Sequence, residues 1–467
     1  MTSSLAVDFH SEGRPGTALG AAVVGFFLIT LDAVIVNVAL PSIQNSLGGG
    51  IAGVQWVVAG YTLMFAVFLL PAGVLSDRIG SRRAFIAGVS LFVLTSAGCG
   101  FAPSIGALVA LRFAQGVSAA MIMPSSMALV GQSYADTVRR RRALAVMAMG
   151  AGVASSCAPL LGGALSTAVS WRAIFLINVP AGLVALVLAR FAAVSPRRAA
   201  PFDALGQCLA AVAMFLLTFG AIRAGESGLA DPQVLGAFAL AVVAAVAFVV
   251  RERQATHPVV PVSVRNRSVG ACLVVGFSFV VAYYGLPFVM TLFLQQQRGL
   301  TPWEAGVVFV PMMVVGLLLT PVSPRVVERL GPRTVVVGGL LTMTIGLATL
   351  ASMPASASLW LVASLMVLVG AGGPMVMPPT MALLLDSVPH HYAGSASGLF
   401  NTSRQVGGAL AVAVFGAMMA GLPSLHDGVK ASLAVTSVLT TATAVAVILL
   451  LPSLRRARPA STCRPLA

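Results

Sequence analysis

Charge is what this chain has least of. Only 9% of its 467 residues are Asp, Glu, Lys or Arg, and just 13 are acids. A soluble protein of this length needs far more charge to cover its surface, so a soluble globular fold is excluded. Lysine is almost missing, since Lys430 stands alone among arginines. That bias reads as the base composition of a GC-rich genome and carries no mechanism. The few cysteines, Cys99, Cys157, Cys208, Cys272 and Cys463, show neither metal-ligand spacing nor a disulfide framework. The histidines, His10, His257, His390, His391 and His426, all fall in tails or loops, which argues against a histidine proton relay. There is no G-x-x-x-x-G-K-[ST] loop and no room for a nucleotide-binding domain, which excludes ATP-driven pumping. The apolar segments contain no paired carboxylates, no His cluster and no nucleophile–base set. No catalytic residue, no metal site and no cofactor are therefore expected, and the chain is not expected to be an enzyme. The net charge of +15 is spread over short loops without an aromatic-interleaved basic patch, so nucleic acid is excluded as a partner. Segments outside the apolar runs are too short to fold alone, which argues against a receptor. Asp8 and Glu12 oppose Arg14 near the start, and the apolar run that follows is too long for a signal h-region. The N-terminus therefore reads as uncleaved.

What the chain does have is hydrophobic length. Apolar residues make up 58% of it, the mean hydropathy is +0.97, and runs of about 20 apolar residues recur throughout, each long enough to cross a bilayer as a helix. Fourteen transmembrane helices are predicted, at roughly 17–40, 52–75, 84–102, 105–130, 143–167, 172–192, 203–224, 233–251, 268–294, 303–323, 334–352, 358–384, 396–420 and 431–452. An even number puts both termini on one side. With that side taken as cytoplasmic, nearly all loop arginines fall inside, and only Arg172, Arg223, Arg298 and Lys430 fall outside. Arg404 is placed just inside a helix at its cytoplasmic end, and Arg112 within a span.

An internal repeat orders these helices. GVLSDRIGSRR at Gly73–Arg83 and PRVVERLGPR at Pro324–Arg333 share acid, arginine, one residue, glycine, one residue, arginine, so that Asp77 maps to Glu328 roughly 250 residues later. GGAL at Gly162–Leu165 recurs at Gly407–Leu410 with nearly the same offset. Two parallel halves are implied, and the offset spans about eight helices rather than six, so an extra pair belongs between them. The predicted organisation is a cytoplasmic tail at 1–16, a six-helix bundle at 17–192, two linker helices and a basic linker at 193–267, a second six-helix bundle at 268–452, and a tail at 453–467.

At this point the sequence resembles the major facilitator superfamily, and within it the 14-helix drug:proton antiporter branch. The resemblance runs from about residue 17 to 452. It is carried by LDAVIVNVALP (Leu31–Pro41), GVLSDRIGSRR, LRFAQG (Leu111–Gly116), APLLGG (Ala158–Gly163), SWRAIFLINVPAG (Ser170–Gly182) and SGLFNTSRQVGGAL (Ser397–Leu410). The departures are Val34 where a threonine is usual, Ser81 where a basic residue is usual, and Ala158–Pro159 where Gly-Pro marks antiporters. The resemblance implies an all-α integral membrane protein of the major facilitator fold, two six-helix bundles plus two central helices. It implies a proton-coupled exporter of small lipophilic or amphipathic compounds, a drug or antibiotic efflux protein working by alternating access. The partners so implied are a small-molecule substrate, protons and the lipid bilayer, the driving force is the proton gradient rather than a cofactor, and a monomer in the bacterial cytoplasmic membrane is expected. A carrier of the same fold with one narrow metabolite substrate, exporter or importer, stays open because of Ala158.

Individual residues carry this reading. Asp32 is the one acid placed in mid-span, where a carboxylate costs roughly 2.5–3.5 kcal/mol, so it is the candidate proton carrier. Arg112 is the one basic residue deep in a span. By helix rise the two sit about 14 and 10 Å from the outer ends of helices 1 and 4, and the resemblance implies that Arg112 takes part in proton coupling. Gln115, one turn on, is expected on the same face. Gly73, Asp77, Arg78, Gly80, Glu328 and Arg329 form candidate conformational latches, charge contacts that hold in one state and break in the other. Gly150, Pro159, Gly162 and Gly163 form a small-residue face for close helix packing on helix 5. Asn37, Gln55, Tyr61, Gln115, Tyr283, Asn401 and Gln405 are the candidate substrate-cavity residues, polar or aromatic groups among apolar neighbours. Trp56, Met121 and Tyr284 are further candidates.

Overall fold

A segment that crosses hydrocarbon must satisfy its own backbone hydrogen bonds, and each apolar run does so as a helix. The computed structural model describes residues 15–134, 136–193, 195, 203–255, 266–389 and 393–451, and among them there is no strand. The helices are α1 (Pro15–Leu47), α2 (Gly50–Ile79), α3 (Ser81–Gly100), α4 (Ile105–Ser133), α5 (Thr137–Ala168), α6 (Ala173–Leu176), α7 (Asn178–Arg190), α8 (Ala204–Ser227) and α9 (Pro232–Gln254). They continue as α10 (Arg267–Leu292), α11 (Pro302–Leu319), α12 (Ser323–Leu330), α13 (Pro332–Ser352), α14 (Leu359–Asp386), α15 (Ala393–Gly421) and α16 (Leu425–Leu450). A π turn (Phe293–Gln297) prolongs α10, α6 and α7 make one span, and α12 is short. Among the described residues fourteen helical segments are long and apolar enough to cross a membrane, the number predicted. The predicted tails at 1–16 and 453–467 and the linkers at 193–202 and 256–265 lie largely outside the described residues.

The scarce polar residues mark where helices begin. Asp136, Asp203 and Asp231 each accept a backbone N–H of the first turn, from Arg139, Gly206 and Gln233. Asn266 does the same for α10, and Thr301 with Glu304 closes a capping box at α11. A helix start leaves N–H groups without intrahelical partners, and short polar side chains satisfy them. α1 runs to Leu47, beyond the predicted end near residue 40, with Pro41 accommodated inside it.

α1 to α7 pack as one group and α10 to α16 as another, while α8 and α9 pair with each other. α8 also lies against both α2 and α15, at the seam between the groups. α9 buries Val234, Ala237, Ala241 and Ala244 on one face and exposes Leu240, Val242, Val243 and Val246, the apolar face a lipid-contacting helix presents. The repeat is visible in the backbone. Gly80 ends α2 at φ +93° and Gly331 ends α12 at φ +81°, a conformation that side-chain-bearing residues rarely adopt. In each copy the next helix starts one residue later. The copies differ in that Asp77 rides on the last turns of the long α2, whereas Glu328 and Arg329 sit exposed on the separate α12.

The two groups meet through α1 with α10, α2 with α15 and α5 with α11. The polar contacts between them gather towards the end that carries the turn after Leu47. Gln295 Nε2 donates to Val38 O at 2.7 Å and Gln296 Nε2 to Gln44 Oε1 at 2.8 Å. Trp303 N–H donates to Thr167 Oγ1 at 3.2 Å. By the arginine distribution this is the end assigned to the outside.

Candidate functional site

The site begins with a close approach of α2 and α4. A Cβ on Gly116 would lie 2.3 Å from Tyr61 O, and one on Gly60 would lie 2.2 Å from the Phe113 ring. Only glycine at both points lets the helices touch. That contact lays the Arg112 guanidinium over the Tyr61 ring, 4.2 Å from its centroid, a cation–π arrangement. The Tyr61 hydroxyl is spent on Ile29 O at 3.0 Å.

Asp32 of α1 faces Arg112 across this contact, and both residues are 0% exposed. Arg112 Nη1 donates to Asp32 Oδ2 in a buried ion pair. Oδ1 accepts from Asn178 Nδ2 at 2.9 Å and from Gln115 Nε2 at 3.1 Å. Arg112 also donates through Nε to Val57 O and through Nη1 to Gln115 Oε1, both at 2.9 Å. One carboxylate thus ties α1 to α4 and α7, with every donor around it charged or amide. An arginine cannot shed its proton in a protein whereas a carboxylate can take one, so Asp32 is the member of the pair able to change charge.

Asn178 was not among the sequence candidates, nor was Ser96, which accepts from Asn178 Nδ2 at 3.1 Å and itself donates to Phe175 O. The available signal was an asparagine at the centre of an apolar run in SWRAIFLINVPAG. Its pairing with Asp32 joins residues far apart in the chain and needs the bundle.

Of the residues expected in a cavity, Tyr61 and Gln115 belong to this charge cluster instead. Gln55 is committed elsewhere: its Nε2 donates to Val412 O at 3.1 Å and Ala413 O at 2.8 Å on α15. It seats against Gly416, where any Cβ would lie 2.1 Å from it. Gln55 is therefore a clamp between the bundles. Asn37 is buried, donates to Val34 O, and leaves its Oδ1 without a partner. Tyr283 is half-buried, stacked on Phe279 at 5.1 Å and set against Gly316 and Gly373 of the second bundle. Asn401 is bonded to Arg404, and Gln405 is half-buried beside it. Trp56 sits among Phe113, Phe215 and Phe219, next to the extra helix α8.

The helix-5 residues divide between two neighbours. Gly150 stands against Val23 and Gly162 against Ile35 O of α1. Gly163 stands against Pro302 O of α11, where a Cβ would come within 2.6 Å, and Pro159 O is equally close to a Cβ built on Gly306. Pro159 and Gly163 therefore form the α5–α11 seam. Gly73 touches Pro124 of α4, Asp77 and Arg78 ride on the last turn of α2, and Gly80 makes the turn beyond. Around that turn Ser81 Oγ donates to Gln132 Oε1 and shares a hydrogen bond with Ser195 Oγ, and Arg82 N–H donates to Ser195 Oγ. These bonds all stay within the first bundle, and Glu328 and Arg329 lie apart from them on α12.

Two helical groups of membrane-length helices, the first of them holding a buried ion pair, have the architecture of a multi-pass membrane transporter. The chain belongs to the Major Facilitator Superfamily, whose family model matches residues 22–412. It is 37% identical over 419 residues to the tetracenomycin C resistance and export protein of Streptomyces glaucescens, covering 88% of this chain and 77% of that protein. It is 32% identical over 406 residues to a methylenomycin A resistance protein of Streptomyces coelicolor, covering 86% of each. A solved POT family transporter, in complex with a thioalcohol-conjugated peptide, matches with a TM-score of 0.72 at 13% identity, covering 92% of this chain and 95% of that one. That last likeness is one of fold. The relatives place the chain in a bacterial membrane.

Proposed function

We propose that this protein exports small amphipathic compounds, antibiotics among them, in exchange for protons carried by Asp32. The observation that carries the reading is the fully buried Asp32 bonded to Arg112, Gln115 and Asn178. The relatives named for antibiotic resistance and export support the direction and the cargo. When Asp32 takes a proton, Arg112 is left as a buried cation without a counter-ion. Losing one partner of a buried pair costs about 3–5 kcal/mol. That is enough to move a two-state equilibrium by about two to four orders of magnitude. α1 carries Asp32 and also the Val38 and Gln44 contacts to Gln295 and Gln296, so relaxation of the pair is transmitted along one helix to the seam between the bundles. The state closed at that end is one of two, and proton binding shifts the balance between them. We further assign both termini to the cytoplasmic side and take the working unit to be a monomer.

The test uses inside-out membrane vesicles with an imposed proton gradient and a panel of fluorescent lipophilic dyes. Gradient-dependent uptake is expected with the wild type and absent in Asp32→Asn, with equal amounts of inserted protein. Uptake that continues in Asp32→Asn moves the proton to another group and refutes the assignment.

A further inference from the structure

The spans hold a second arginine that the coupling site does not use. Arg404 lies in α15, eleven residues on from Ala393, or about 16 Å at the rise of an α-helix. It is thus three turns in from the start of α15, one turn deeper than the start predicted at 396 implied. Its Nη1 donates to Asn401 Oδ1 at 3.1 Å. Its Nε is shut off from solvent and has no hydrogen-bond partner. Among the described residues no carboxylate lies within ion-pair distance of it. Asp32 is already held by Arg112, Gln115 and Asn178.

Its neighbours show which way it faces. Its stem passes Gly276 of α10, where a Cβ would lie 3.2 Å from Arg404 Cγ. Gly408, one turn further along α15, stands against Val280 of α10 and also Thr62 of α2. This face of α15 therefore looks into the seam between the two bundles, and Arg404 is only partly buried there. Tyr283 and Tyr284 lie two turns further along α10 than Gly276, with their ring centroids 5.5 Å apart. An embedded guanidinium stays charged, and embedded cations pair with acids or carbonyls, or face a water-filled path. Among the described residues its one side-chain partner is the neutral Asn401, which orients it and leaves the charge uncompensated. A guanidinium so presented is a planar fork of donors, matched to a carboxylate.

We infer that Arg404 is the anion-recognition point of this carrier, and that its cargo bears a carboxylate or similarly acidic oxygen on an apolar body. This rests on reading the chain as a small-molecule exporter. Asn401 positions the guanidinium, and Tyr283 and Tyr284 supply aromatic surface for the apolar part.

The test uses the full chain in lipid nanodiscs and two fluorescent probes, pyrenebutyrate and its neutral methyl ester. The wild type is expected to bind the acid about tenfold or more tightly than the ester, the gain of one charge-assisted bidentate contact. Arg404→Gln should abolish that preference. Arg404→Lys should restore part of it, which a merely structural role would not produce. Equal binding of acid and ester by the wild type, no binding of either, or a preference that survives in Arg404→Gln overturns the inference. Gradient-driven uptake of a neutral lipophilic dye into inverted vesicles separates this from the exporter reading. Its absence in the wild type defeats the exporter reading and leaves the binding result standing.

Discussion

The Asp32–Arg112 pair makes an asymmetric prediction. Asp32→Asn keeps the shape of the side chain but leaves the Arg112 guanidinium buried without a counter-ion, and that group stays charged. The general cost of such a loss is about 3–5 kcal/mol. Here it should fall near the lower end, about 3 kcal/mol, because Arg112 keeps Val57 O, Gln115 Oε1 and the face of Tyr61. Arg112→Met strands a carboxylate instead, and a stranded carboxylate escapes by taking a proton, so its cost at neutral pH should be smaller. The double variant Asp32→Asn/Arg112→Met removes both charges, retains the bulk, and should recover most of the stability of the wild type while remaining inactive in gradient-driven transport. Thermal unfolding of all four proteins in the same detergent, followed by the fluorescence of a thiol-reactive dye on the buried cysteines, reads the order directly. If Asp32→Asn melts with the wild type, or if the double variant is no more stable than Asp32→Asn, then the pair does not store the energy on which the coupling argument depends.

Three further outcomes follow from the same packing. Gly116→Ala places a Cβ 2.3 Å from Tyr61 O, so α2 and α4 must part. A loss of about 1–3 kcal/mol and reduced transport are expected by melting and vesicle assays, while Gly106→Ala, with nothing within 4 Å, should change neither. Gln55→Leu removes both amide bonds to α15 and should loosen the closed end by about 1–2 kcal/mol. A cysteine placed at buried Leu40 should then react about 5–30-fold faster with an impermeant thiol reagent, and an unchanged rate would mean that Gln55 does not hold the bundles together. At the other end of the seam helices, Arg251 bonds Asp203 at 3.2–3.3 Å. Burial pushes the Asp203 carboxyl up, but the hydrogen bonds from Arg251 and Gly206 and the Arg251 charge outweigh it and hold it below the usual carboxylate range. A lowered folded value means that the tie between α8 and α9 stabilises fully above about pH 4, the unfolded value, and fades as pH falls through the folded one. The melting difference between wild type and Asp203→Asn should therefore be largest at pH 7 and shrink in acid, and a difference that grows in acid would reverse the assignment.

Span number and the pairing of halves were legible in the sequence because both depend on local or repeated pattern. A bilayer demands about 20 apolar residues per helix, and that demand leaves a mark in any window of the chain. The repeat was equally local, since Gly80 and Gly331 each permit the positive φ at which their helix ends. Asp32 was legible for the same reason: a carboxylate in an apolar run is conspicuous wherever the run packs.

What only the tertiary structure decided is which groups meet. Asn178 reads as one polar residue in a greasy span until α7 brings it to Asp32 Oδ1. Gln55 reads as a cavity residue until α15 presents two carbonyls to it. Arg404 reads as a cation of the topology rule until α15 is seen to turn that face into the seam. Helix length and hydropathy act through each segment's own contact with lipid, so the chain carries them residue by residue. Hydrogen bonds, ion pairs and close approaches at glycine depend on the rotation and depth of one helix against another. Those are properties of the packed bundle, in which residues more than 300 positions apart, such as Gln55 and Val412, become neighbours.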